Sequence, residues 1–223
     1  AINYPSTLFE ALLNSSKTNK KDHIIIGDII NGKISYNDLI KNAINYGETL
    51  NKFIGDKTNI GICIPSGFMF ATIFWALQYL NKTTIIIDEN NLEKQIKDAN
   101  VEVLIGIKDY ENLSCHTINI QNIKPSKFTR KHTYASCKTS LILFKNNQKL
   151  EYSAHDILKS YYELDCVLPF NLKDIAISTL SSHNPDGFIL GFILPILSGV
   201  KTYFIPKVNP KILSNICYDL SAS

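Results

Sequence analysis

The chain has 223 residues, of which 45% are hydrophobic and 19% charged, with a formal net charge of +3. This composition is typical of a globular protein and excludes a disordered or fibrous chain, and the length is sufficient to bury a core without a metal or a disulfide. Arg130 is the only arginine, and recognition of nucleic acid favours arginine, so we expect no nucleic-acid partner.

The first 54 residues predict two helices separated by a β-hairpin. Thr7-x-x-Glu10 is a capping box that starts the first helix, and Ser35-x-x-Asp38 starts the second. Between them, the segments 23–30 and 33–36 are rich in β-branched residues and flank Asn31-Gly32. An Asn-Gly pair between two such segments predicts a hairpin with a type I′ turn.

Strands and helices then alternate along the chain. We predict strands at 59–64, 83–88 and 101–107, and helices at 66–80 and 91–99. The strands are continuous apolar runs, which is typical of parallel strands that are covered on both faces. The fold class is therefore α/β, a mostly parallel sheet flanked by helices, with these three strands side by side.

One uncharged stretch is long enough to raise the question of a membrane span. Ile60–Leu80 has no charged residue over 21 positions. Pro65-Ser66-Gly67 divides it into a strand and a helix, so we predict no transmembrane segment. Five scattered cysteines form no CxxC pair and no histidine has metal-ligand spacing, so we expect reduced thiols and no metal. The expected location is cytoplasmic, with peripheral binding to the inner face of the membrane as an open alternative.

The second part of the chain predicts a further series of strands and helices. Residues 108–137 are polar and include Lys127, Arg130, Lys131 and His132. We interpret them as a solvated connection rather than a phosphate or carrier-protein contact. Beyond them we predict strands at 140–144, 174–180 and 200–205 and helices at 154–166, 187–198 and 210–219. We divide the chain into two αβ halves of one continuous domain, residues 1–137 and 138–223.

The segment from His183 to Gly187 is the most suggestive short motif, because it places a histidine and an aspartate between a predicted strand and a predicted helix. Parallel α/β folds bind ligands at the carboxyl ends of their strands. A histidine base near Asp186 is one interpretation. A turn followed by a helix cap is the other, and it is favoured, because the spacing between histidine and aspartate is one residue short of an HxxxDG motif.

Several segments in order resemble the adenylate-forming superfamily of acyl-CoA and acyl-carrier-protein synthetases. They are Thr7–Leu12, Ile34–Leu39 (its "TY-x-E-L" helix start), Ile60–Pro65 (its "VGVLLPN" strand), Asp174–Leu180 followed by His183 ("D-LPLFH"), and Gly191–Lys201 ("G-LLPLLSG-K"). Within the superfamily, the sequence is most similar to the synthetase half of the bifunctional acyl-ACP synthetase/2-acylglycerophosphoethanolamine acyltransferases. The resemblance covers essentially the whole chain but less than half of a full-length member, and it implies an incomplete N-terminal domain.

The sequence departs from the family where ATP phosphates would bind. In the family, a strand like Leu141–Phe144 leads into a loop, TSG-[ST]-x-G-x-PKG, that cradles the phosphates. Here only eight residues, Lys145–Tyr152, follow before Ser153, and none is glycine. The resemblance implies Lys145 and Lys149 as remnant phosphate contacts, and His183 and Gly187 as part of an acyl pocket. The family uses ATP and Mg²⁺, but for this chain we expect no cofactor and assign no catalytic residue.

Two functions remain open at this stage. The first is a fragment or degenerate member of the AMP-forming fatty-acyl-CoA/acyl-ACP ligases that is inactive in adenylation on its own. The second is a non-catalytic module that binds an acyl chain or a carrier protein. The expected partners are therefore a fatty acid or acyl carrier protein, with self-association through an exposed apolar surface of the second half.

Overall fold

The computed structural model describes residues 3–28, 32–128, 132–167, 173–178 and 185–205, together with residues 215 and 218. The helices are α1 (Leu8–Thr18), α2 (Tyr36–Ile54), α3 (Phe68–Tyr79), α4 (Leu92–Asp98), α5 (Ala154–Val167), α6 (Pro185–Phe188) and α7 (Leu194–Ser198). The strands are β1 (Ile24–Asp28), β2 (Gly32–Ser35), β3 (Asn59–Cys63), β4 (Thr83–Ile86), β5 (Val103–Gly106), β6 (His116–Asn119), β7 (Leu141–Lys145), β8 (Gln148–Tyr152), β9 (Ile175–Ser178) and β10 (Lys201–Phe204).

A six-stranded sheet forms the larger layer, in the order β6-β5-β3-β4-β7-β8. All neighbouring pairs are parallel except β7 and β8, which form an antiparallel hairpin at one edge. The prediction that the three central apolar strands lie side by side and parallel is confirmed. Their side chains are buried on both faces, as the continuous apolar runs indicate.

A four-stranded sheet forms the second layer, in the order β2-β1-β10-β9. The predicted hairpin is confirmed as the antiparallel pair β1–β2, although its turn lies outside the described residues. Strands β10 and β9 continue this sheet in parallel with β1. Each sheet contains strands from both sides of residue 137, and the division into two halves at that position stays a prediction.

Helices pack between the two sheets. Helix α3 packs against β3 and β4, whereas α7 packs against β10, and α1 contacts both helices. Ten consecutive residues of α3, from Phe70 to Tyr79, are buried, which is expected of a helix that is apolar on every side. Within the described residues, no helix is both long enough and apolar enough to reach across a lipid bilayer.

Three features of the structure differ from the sequence-based expectations. The polar connection 108–137 contains strand β6, which pairs with β5 at the sheet edge, and residues 148–152 form β8. Both are edge strands whose side chains are mostly exposed or half-buried, so they lack the apolar pattern that predicts a strand. The predicted helix 187–198 contains a π-helical segment, Ile189–Ile193, because Pro195 has no N–H to continue the α-helical pattern.

The exposed large apolar side chains lie mainly in the second half of the chain. Val167, Ile175, Leu190 and Tyr218 are exposed there, whereas Phe53 is exposed in the first half. The exposed apolar surface expected on the second half, and self-association through it, stay predictions. Apart from residues 215 and 218, the predicted helix 210–219 lies outside the described residues.

Candidate functional site

A cavity of about 210 Å³ opens at the carboxyl ends of β3, β4 and β5, and we call it the carboxyl-edge cavity. Its apolar wall includes Ile62, Phe70, Ile86 and Phe188, and its polar groups include Ser66, Asp88, Glu89 and Tyr110. Ligands of α/β folds bind at this edge of a parallel sheet, in pockets that combine an apolar wall with a few polar groups. This cavity is therefore the candidate site.

Asp88 is a fixed carboxylate at the rim of the cavity. One of its oxygens accepts a hydrogen bond of 3.1 Å from the backbone N–H of Asn90, and the other accepts one of 2.8 Å from Asn91 Nδ2. Its own backbone N–H donates to Gln95 Oε1 at 2.8 Å. Asp88 is only 6% exposed, so its negative charge is held in place next to the cavity.

Cys63 and Tyr110 also line the cavity. Burial raises the pKa of the Cys63 thiol, a hydrogen bond with Tyr110 lowers it, and the nearby Glu89 and Asp88 raise it further, so the net shift is upward. The thiol is therefore protonated near neutral pH and is a poor nucleophile. Lys108 pairs with Glu89, and its Nζ lies 5.3 Å from the centre of the Tyr110 ring.

A cluster of phenylalanines closes the floor of the cavity. Phe70 and Phe188 line the cavity, and their ring centres lie 5.9 Å apart in an edge-to-face arrangement. Phe74 and Phe192 pack behind them, with centre-to-centre distances of 5.2–5.7 Å to neighbouring rings. Because these rings are buried against one another, the floor cannot recede without leaving a void in the core.

The hairpin β7–β8 occupies the position at which the sequence resemblance places the phosphate loop. Lys145 pairs with Gln148, so only Asn146 and Asn147 form the turn. Both have positive φ, +51° and +58°, which is typical of a two-residue type I′ turn. Asn147 Oδ1 accepts a hydrogen bond of 3.4 Å from Gln95 Nε2, so Gln95 joins this turn to the rim at Asp88.

The structure describes three of the four residues that the resemblance implied as site residues, and their roles stay predictions. Lys145 is exposed at the end of β7. Lys149 Nζ lies 3.3 Å from Glu151 Oε1 and lines a different cavity, of about 370 Å³, at the amino ends of the strands. Gly187 is exposed in α6, next to Phe188 of the carboxyl-edge cavity, and His183 lies outside the described residues. Within the described part of the chain, no three His, Cys, Asp or Glu side chains are placed to hold a metal ion.

Sequence reasoning missed the polar rim residues Asp88, Glu89 and Tyr110. A signal for them was present, because Asp88 and Glu89 lie at the end of the predicted strand 83–88, and Tyr110 follows the strand 101–107. Side chains that follow neighbouring parallel strands meet at the carboxyl edge of a sheet. Applying that rule to these two strands would have identified the rim.

No model of a known protein family matches the sequence. The nonribosomal peptide synthetase FmoA3 in an AMPPNP-bound form is similar in structure, with a TM-score of 0.83 and 12% identity over 98% of this chain and 25% of that chain. The N-terminal subdomain of NpsA from Klebsiella oxytoca, in complex with 3-hydroxybenzoyl-AMSN, gives a TM-score of 0.78 and 14% identity over 94% of this chain and 56% of that chain.

A third similar structure is the fatty acyl-adenylate ligase from L. pneumophila in complex with acyl adenylate and pyrophosphate. Its TM-score is 0.78 and its identity 15%, over 98% of this chain and 42% of that chain. This chain thus spans between a quarter and somewhat more than half of the length of these proteins. At such low identity the similarity is one of fold, and the chain has the fold of the N-terminal domain of adenylate-forming enzymes.

Proposed function

We propose that this chain is an N-terminal fragment or degenerate member of the AMP-forming fatty-acyl-CoA/acyl-ACP ligases that does not adenylate a substrate on its own. The single observation that carries the proposal is the β7–β8 hairpin, which closes with a two-residue turn. The sequence resemblance additionally favours the acyl-ACP synthetase branch, with a role in fatty-acid and phospholipid metabolism.

Binding of a triphosphate places specific demands on the backbone. Several negative charges require convergent backbone N–H donors, which a flexible glycine-rich loop provides. In the hairpin, residues 141–145 pair with residues 148–152, so the backbone groups that point between the two strands are already hydrogen-bonded to each other. Glu151 adds a negative charge beside Lys149. Losing several charge-assisted hydrogen bonds at ~1.5–3 kcal/mol each weakens phosphate binding by orders of magnitude.

Exchange between ATP and pyrophosphate, measured on the purified chain with a panel of fatty acids, tests this proposal. We expect exchange at background level with every acid. Exchange well above background that disappears in Lys149→Ala and persists in the control Lys159→Ala would overturn the proposal. Lys159 is a suitable control because it lies on α5, where it pairs with Glu163 on an exposed face.

A second candidate function is favoured by a different observation, the carboxyl-edge cavity. We propose that the chain keeps a binding role for an acyl group or a carrier-linked group, without catalysis. A ligand that binds the folded state alone raises the melting temperature. We therefore expect stabilisation by some small apolar compounds even where no exchange is detected.

A further inference from the structure

The carboxyl-edge cavity has a size, a lining and a charge that together specify a class of ligand. We propose that it binds a single aromatic ring that carries no negative charge, such as a benzyl alcohol, rather than a fatty acid. This inference rests on the binding role proposed above, but it is independent of whether the chain adenylates.

The first argument is the volume of the cavity. An engineered apolar cavity of about 150 Å³ in another protein accommodates benzene. At about 210 Å³, the carboxyl-edge cavity is large enough for one ring with a small substituent. A long alkyl chain would have to extend beyond it, through the phenylalanine cluster or into solvent. The volume therefore favours a compact group over a fatty-acyl chain.

The second argument is the nature of the floor. Phe70 and Phe188 present their rings to the cavity, in edge-to-face contact with each other. Aromatic pairs in such arrangements contribute about 0.5–1.5 kcal/mol beyond the burial of area. A ligand ring that enters above them extends an arrangement already present in the floor. An aliphatic group of the same volume would lack this contribution.

The third argument is the charge at the rim. Asp88 and Glu89 line the cavity, and among the described lining residues there is no lysine or arginine. Lys108, which lies outside the lining, pairs with Glu89, and Asp88 accepts hydrogen bonds from Asn90 and Asn91. A carboxylate that enters would be desolvated next to this negative charge, which is unfavourable. A hydroxyl or amine donor has no such penalty, and the raised pKa of the Cys63 thiol is consistent with a rim that disfavours anions.

Nuclear magnetic resonance titration of the ¹⁵N-labelled chain with benzyl alcohol, benzoate and octanoate tests the proposal directly. We expect benzyl alcohol to shift the backbone signals of Cys63, Asp88 and Tyr110 in a saturable way. Benzoate should bind about tenfold more weakly, a difference of ~1.4 kcal/mol, and octanoate should leave these signals unchanged. Benzoate or octanoate binding as tightly as benzyl alcohol, or shifts confined to other surfaces, would overturn the proposal.

Two variants sharpen this test. Glu89→Gln removes a rim charge from a side chain that is 59% exposed, so folding is preserved, and the preference for benzyl alcohol over benzoate should shrink. The control Glu93→Gln makes the same charge change on α4, where Glu93 pairs with Lys97, and should leave the preference unchanged. An equal effect of both variants would show that overall charge, rather than the rim, sets the preference.

Cys63→Leu fills part of the cavity and should abolish the benzyl alcohol shifts at the neighbouring Asp88 and Tyr110. If this variant does not fold, the titration of the unmodified chain still decides the question. The ATP–pyrophosphate exchange assay is separate. If benzyl alcohol does not bind and exchange stays at background level, only the proposed ligand class is refuted. If exchange rises above background, only the proposed loss of adenylation is refuted.

Discussion

Two neighbouring regions at the same edge of the six-stranded sheet differ in structure, because one is open and the other is closed. At the ends of β3, β4 and β5, the chain leaves a cavity with a rigid aromatic floor and a polar rim. At the end of β7, it turns back within two residues and leaves no loop. Gln95 connects the two regions through hydrogen bonds to Asp88 and Asn147. The comparison teaches that neighbouring strand ends of one parallel sheet can form either an open cavity or a tight two-residue turn.

The largest effect on the free energy of unfolding is expected at the aromatic floor of the carboxyl-edge cavity. Phe192 is fully buried and contacts Phe70, Phe74 and Phe188, so Phe192→Ala should lower the free energy of unfolding by about 3–5 kcal/mol. In the hairpin, Lys149→Ala removes an exposed side chain and should change the free energy of unfolding by less than about 0.5 kcal/mol. Urea denaturation measures both, and equal effects would contradict the contrast between the two regions.

A smaller effect on the free energy of unfolding is expected at Glu48, which anchors to α2 the segment that leads into the β7–β8 hairpin. Glu48 in α2 accepts hydrogen bonds from the Tyr79 hydroxyl at 2.5 Å and the Tyr134 hydroxyl at 3.0 Å, and His132 Nδ1 lies 2.8 Å from it. Burial raises the pKa of Glu48, but these hydrogen bonds together outweigh it and hold the pKa below its usual value. The resulting stability is present above the unfolded-state pKa and is lost as the pH falls through the folded-state pKa.

Glu48→Gln should therefore lower the free energy of unfolding by about 1–3 kcal/mol at pH 7, with a smaller loss at acidic pH. Measurement of unfolding by urea at several pH values tests this sign. The matched control is Glu10→Gln, because Glu10 is exposed and accepts hydrogen bonds from Ser6. A deficit of Glu48→Gln that grows on acidification would contradict the assignment.

A further test concerns the rim of the cavity. A Cβ atom at Gly106 would overlap the ring of Tyr110, so glycine at the end of β5 allows that ring to cover the strand. Gly106→Ala should cost about 1–3 kcal/mol of stability. The double variant Gly106→Ala/Tyr110→Ala removes the overlap, so Gly106→Ala should cost less in a Tyr110→Ala background. Thermal unfolding of the four proteins gives this coupling, and additive effects would show that the two residues do not meet.

The smallest effect on stability is expected in the two-residue turn of the β7–β8 hairpin. Asn147 has a φ of +58°, a conformation that glycine adopts more readily, and Asn-Gly is the preferred pair of a type I′ turn. Asn147→Gly should therefore stabilise the chain slightly, by up to about 1 kcal/mol. Asn90→Gly, outside the hairpin, should not stabilise. A clear loss of stability in Asn147→Gly would contradict this prediction and would show that the hydrogen bond from Gln95 to the Asn147 side chain outweighs the gain in the turn.

The sequence predicted the parts of the fold that have strong apolar patterns. The strands around Ile60, Ile85 and Leu104 and the caps at Thr7 and Ser35 were found because buried strands and caps depend on local residue types. Edge strand β8 was missed because its side chains are exposed or half-buried and do not form an apolar pattern. The polar rim was missed because Asp88, Glu89 and Tyr110 lie at or beyond the ends of their strands, where no periodic pattern distinguishes a functional side chain from an ordinary loop residue.

We propose, as above, that the β7–β8 hairpin closes the position of a phosphate loop while the carboxyl-edge cavity stays open. Titration of the ¹⁵N-labelled chain with Mg-ATP tests it most directly, through the backbone signals of Asn146, Asn147 and Lys149. We expect no saturable shift of these signals, whereas benzyl alcohol shifts those of Cys63 and Tyr110. Saturable shifts in the hairpin on addition of Mg-ATP would contradict the claim.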